Sequence, residues 1–61
     1  MVVITKYQDR HLNYWLKVED GDAVMLDTKF KCKEDLHSVA DDLSWMFTER
    51  FNKEVEIVNE L

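Results

Sequence analysis

The stretch KEDLHSVADDLSWMFTERFN, residues Lys33 to Asn52, decides how the rest of the chain is organised. Leu36, Val39, Ala40, Leu43, Phe47 and Phe51 recur at three-and-four spacing, which lines them up on one face of a single amphipathic helix. Met46 flanks that stripe. At about 100° per residue, Trp45 points directly away from it, into a face made of Glu34, Ser38, Asp41, Asp42 and Glu49. A tryptophan set among carboxylates on the solvent side of a helix is the most specific functional feature of the sequence. Asp41 and Asp42 fall mid-helix, where neither end of the helix dipole favours them and where aspartate is a poor helix former. Solvation alone would be served as well by Glu or Lys.

The ends of the helix are marked unequally. Glu34 and Asp35 suit the positive start of the dipole, Arg50 and Lys53 suit the other end, and Asn52 can take a left-handed stop. No Ser, Thr, Asp or Asn stands just before Lys33, so the usual N-cap is missing and Cys32 is a weak substitute.

Upstream, β-branched and aromatic residues from Val2 to Tyr7 suit a first strand. Gln8–Arg10 turns the chain. A second strand is expected from about His11 to Val18 and a third from about Asp22 to Phe30, joined by a hairpin at Asp20-Gly21. A two-residue turn there would set Leu16 against Met25 and Tyr14 against Asp27, mixing apolar and charged residues. A three-residue loop of Glu19-Asp20-Gly21, with Gly21 left-handed, sets Leu16 against Val24 and Tyr14 against Leu26. Because side chains alternate with period two, the choice is all-or-none, and the three-residue loop is expected. Leu12, Tyr14, Leu16, Val18, Val24, Leu26 and Phe30 then share the face that meets the helix.

The opposite face carries His11, Asn13, Trp15, Lys17, Ala23, Met25, Asp27 and Lys29. Trp15 is expected opposite Met25, with Val3 close by. That small apolar patch is either a second contact surface, such as a homodimer seam, or a cross-strand pair that stiffens the hairpin.

Downstream, Lys53 to Leu61 returns to alternation: Val55, Ile57 and Leu61 on one face, Glu54, Glu56, Val58 and Glu60 on the other. A strand–helix–strand connection in one sheet implies a right-handed crossover and parallel placement; pairing is open to the first or the third strand, and the first is expected. The expected fold is α+β: one domain spanning residues 1–61, a small mixed, mostly antiparallel sheet with one helix on one face, in the order β-β-β-α-β.

At 61 residues the chain has room for one small core and no second domain. Cys32 is the single cysteine, which excludes an internal disulfide and fits a reducing compartment. A core of this size leaves little net stability, so self-association or a partner is expected to contribute. Met1-Val-Val-Ile-Thr is not a basic segment leading into a long apolar run, and no apolar run approaches a membrane span. A soluble, cytoplasmic protein from a complete short reading frame is expected. The formal net charge of −5 disfavours direct binding to phosphate backbones and favours a protein partner with a basic surface. Acidity also serves solubility alone.

Catalytic and metal chemistry find little support. His37 and Asp41, four apart on the helix, fit a surface ion pair better than an oriented base, since no nucleophile is placed beside them. Cys32, His37 and His11 lack the paired spacing of zinc sites. Asp20, Asp22 and Asp27 around Gly21 lack the alternating ligands and terminal Glu of a calcium loop. Lys31 and Lys33 could lower the pKa of Cys32, yet it has no redox partner. With one glycine in the chain there is no Gly-rich phosphate loop. Neither a catalytic residue, a metal nor a cofactor is expected.

The strand–strand–helix–strand layout of a short acidic chain resembles, in organisation and over its whole length, small phage-encoded proteins that bind and block a host enzyme. The resemblance implies an inhibitor or modulator of a larger host protein. Trp45 with Asp41, Asp42, Glu34, Glu49 and Ser38 is the expected partner-binding surface, with carboxylates standing where a nucleic acid would place phosphates. Two alternatives belong to other classes. One is a structural or accessory subunit that forms a homo-oligomer through Trp15, Met25 and Val3 or through an open sheet edge. The other is a weak single-stranded RNA binder that uses Trp15 among Lys17, Lys29 and His11.

Overall fold

A computed structural model describes all of residues 1–61. Its elements are β1 (Val2–Gln8), β2 (Tyr14–Asp20), β3 (Ala23–Phe30), α1 (Lys33–Glu49) and β4 (Val55–Asn59). The four strands form one mixed sheet in the order β3-β2-β1-β4. β1 pairs antiparallel with β2 and parallel with β4, so the strand after the helix lies beside the first strand. The helix covers one face. The architecture is the expected α+β fold in the order β-β-β-α-β.

Between the layers, Val2, Ile4, Leu16 and Val18 from the sheet meet Leu36, Ala40 and Phe47 from α1, all buried. Tyr14, Phe30, Val39, Leu43, Met46 and Val55 pack around them, half-buried. The alternation of β1 and the three-and-four spacing of α1 thus build the core as their periods predict. Phe51 does not join it. α1 ends at Glu49, not Asn52; Arg50 closes it with an N–H bonded to the Met46 carbonyl at 2.9 Å. The chain then reverses at Asn52, whose φ of 53° is the expected left-handed stop. Phe51 is left exposed, with its ring 6.1 Å from that of Phe47. The last helical turn carries no cation; Lys53 instead binds Asp20 at 2.9 Å. At the other end Cys32 has extended backbone and makes no side-chain capping bond.

The hairpin register differs from the one expected. The loop has two residues, Gly21-Asp22, closed by the pair Asp20–Ala23. Gly21 takes a φ of 61° and Asp22 does not go positive, the pattern of a II′ turn. β2 runs on through Glu19 and Asp20 because both still pair with β1, at Val3 and Val2. Asp20 is further held by Lys53 and the chain amino group. A bulge then restores the parity that the turn alone would spoil. The pairing shifts between Val18 and Glu19, leaving Met25 as the extra residue between Val24–Glu19 and Leu26–Val18. Leu16 therefore faces Thr28 and Tyr14 faces Phe30, four residues further along β3 than expected.

Other assignments change, beginning with Val24, which pairs with Glu19 on the open face and is 56% exposed instead of facing the helix. Leu12 is not a core residue: it lies in the loop between β1 and β2, 72% exposed and at a φ of 65°. Lys6, which continues the inward row of Val2 and Ile4, is buried at 7% exposure. Its ammonium donates to Nδ1 of His37 at 2.9 Å across the layers, which requires the imidazole proton on Nε2. His37 thus satisfies a buried charge that would be costly alone, in place of the expected surface pair with Asp41.

Candidate functional site

The outward face of α1 is what its periodicity predicts. Glu34, Ser38, Asp41, Asp42, Trp45 and Glu49 are all exposed, and Trp45 keeps 58% of its surface in solvent. Asp41 and Asp42 precede Trp45 by four and three residues and Glu49 follows by four, the spacings at which helical side chains adjoin. The three ion pairs of the molecule are Met1–Asp20, Lys17–Glu19 and Lys53–Asp20. None involves the helix, so these carboxylates keep their charge uncompensated beside the indole. The opposite stripe of Leu36, Ala40 and Phe47 is buried against the sheet, which turns this face outward.

The second tryptophan sits differently. Across the open face of the sheet Trp15 pairs with Tyr7 on β1 and with Lys29 on β3, not with Met25. Its ring stacks on Tyr7 with centroids 6.2 Å apart and planes 13° apart. Val3 pairs with Glu19, four residues along β2 from Trp15, or about 13 Å, and Met25 is the bulged residue at that far end. Trp15, Met25 and Val3 therefore do not form one patch. The registers of β2 on β1 and of β3 on β2 separate them.

What organises Trp15 is Asp9. Its carboxylate accepts from Trp15 Nε1 at 2.8 Å, the His11 amide at 2.8 Å, the Asn13 amide at 3.0 Å and Asn13 Nδ2 at 3.2 Å. The bond from Trp15 does most to hold Asp9 below the usual carboxylate range; loss of hydration opposes it, and the Asn13 and His11 donors reinforce it. Tyr7 in turn donates its hydroxyl to Asp27 Oδ1 at 2.9 Å. Burial first, then that bond and the charge of Asp27, push the Tyr7 phenol up. Asp9 carried a readable signal, since an Asp side chain commonly accepts from the backbone two residues on, as it does here from His11.

Other candidate groups stay dispersed. No three His, Cys, Asp or Glu side chains converge as metal ligands, and the surface has no pocket. No helix is long and apolar enough to cross a membrane. Cys32 is not activated by its lysine neighbours. The Asp35 amide nearby favours its thiolate, but the Asp35 carboxylate, loss of hydration and the charge of Glu34 outweigh it and push the thiol up. Comparison with protein-family models, curated proteins and solved structures finds no match for this chain.

Proposed function

We propose that this chain is a protein-binding module that docks on a basic surface of a larger protein through the acidic helix face centred on Trp45, and so inhibits or redirects that partner. One observation carries the proposal: Trp45 is exposed in the middle of carboxylates that no cation of the chain neutralises. Indoles are enriched among residues that dominate binding energy, and surrounding charges steer the encounter and fix its orientation. A basic partner surface that ordinarily holds nucleic acid would meet carboxylates in place of phosphates. The lone Cys32 fits action inside a cell, and the short acidic layout fits a phage-encoded modulator of a host enzyme.

Two variants test this, Trp45→Ala and Asp41→Lys/Asp42→Lys, each used as bait in a host lysate beside the parent chain. Loss of the indole is expected to weaken capture by about 30-fold or more, the effect of a residue at the centre of an interface. Charge reversal is expected to abolish capture at low salt. If both variants fold and still retain the parent's partner, the helix face is not the docking site.

A further inference from the structure

β3 and β4 are the outer strands of the sheet, and their free edges differ in charge pattern. Regular pairing of β3 on β2 covers Leu26 to Phe30, because the bulge at Met25 interrupts the strand before it. That segment reads Leu26-Asp27-Thr28-Lys29-Phe30: apolar, negative, small, positive, apolar. Reversed, it reads apolar, positive, small, negative, apolar. We propose that this edge joins two copies of the chain, antiparallel about a two-fold axis at Thr28, into one continuous sheet.

In that register Leu26 of each copy lies opposite Phe30 of the other on the helix side, and Asp27 lies opposite Lys29, twice, on the open side. Neighbouring registers are worse. A slip of one residue sets Leu26 against Lys29 or Asp27 against Phe30. A slip of two sets Asp27 against Asp27 or Lys29 against Lys29.

Within the single chain Asp27 lies opposite Lys17 without forming an ion pair with it, and Lys29 lies opposite Trp15. Asp27 and Lys29 are both exposed and neither belongs to an ion pair; Tyr7 occupies only Oδ1 of Asp27. Leu26 is 37% exposed although it pairs with the buried Val18. The bulge bends Ala23–Met25 away and confines pairing to the complementary five residues. β4 offers no such match. It contains Glu56, is flanked by Glu54 and Glu60, and has no cation, so pairing with its own copy sets like charges together. Pairing β3 with β3 also closes after two copies, whereas β3 on β4 would leave edges free to grow.

A five-residue strand pair is a small interface, so the dimer is weak and concentration-dependent. Sedimentation equilibrium from about 1 μM to about 1 mM is expected to show the parent mass rising from one chain towards two. Asp27→Lys and Lys29→Asp, each alone, are expected to weaken the dimer about tenfold or more. An equimolar mixture of the two variants should recover it, as should Asp27→Lys/Lys29→Asp in one chain. Both positions are exposed, and circular dichroism reports that each variant folds. The proposal fails if the parent stays a single chain throughout, which would leave the edge to an extended segment of another protein. It also fails if neither single reversal weakens a parent dimer, or if the mixture does not restore it.

Discussion

The two tryptophans of this chain have the same chemistry and opposite circumstances. Trp15 is half-buried on the open face of the sheet, its ring stacked on Tyr7 and its N–H given to Asp9. Trp45 stands on the outer face of α1, more than half exposed, among carboxylates that bind nothing in the chain. Indole has a large apolar body and one polar donor, and a folded chain gains most when both are used internally. Trp15 is used in that way, so its role is architectural: it ties the loop from Asp9 to Asn13 to the middle of the sheet. Trp45 is not: its ring stays in solvent, which is the ground for proposing a partner there. A tryptophan is thus informative about function in proportion to what its own fold leaves unsatisfied.

The sharpest way to break this contrast is to remove the held ring. Trp15→Ala is expected to cost about 2–3 kcal/mol of stability, at or below the lower end for a fully buried aromatic because Trp15 is only half-buried. Urea denaturation measures it, and a cost no larger than that of Trp45→Ala would end the distinction.

Acid acts on the same anchor. Asp9 titrates lower in the folded chain than in the unfolded one, so its contribution is fully present above about pH 4 and is lost as pH falls below that value. Asp9→Asn should therefore be less stable than the parent at neutral pH, and its stability should decline less between about pH 5 and pH 2. Parallel curves for the two proteins over that range would contradict the role given to Asp9.

Quenching sharpens the other side. In Trp15→Phe the only indole is Trp45, set in a negative local field. Caesium is expected to quench it about twofold or more better than iodide at low salt, with the difference fading as salt is added. In Trp45→Phe the remaining indole should respond weakly to both ions. The smallest effect is that of Trp45→Ala on folding itself, less than about 0.5 kcal/mol, as for a surface side chain with no internal partner. A larger loss would mean that the ring supports the fold.

Much of the fold and of the helix site was legible because it rests on local periods. The spacing of Leu36, Ala40 and Phe47 fixes which side of α1 is inside, and Trp45 with its carboxylates follows by rotation. The site at Trp15 was legible only as a residue type. Its neighbours on the sheet come from strands β1 and β3, and no local pattern reveals that a bulge at Met25 compensates for a two-residue turn.

By itself the sequence determined the element order, the amphipathic helix and the outward position of Trp45, since these depend on side-chain periodicity within one segment. Tertiary structure alone decided the hairpin register, the exclusion of Leu12 and Phe51 from the core, the burial of Lys6 against His37 and the capture of Trp15 by Asp9. The register and the Lys6–His37 contact depend on partners distant in the chain and on one bulged residue, the others on where a loop or the helix end turns, and side-chain alternation does not distinguish registers that differ by an even number of residues.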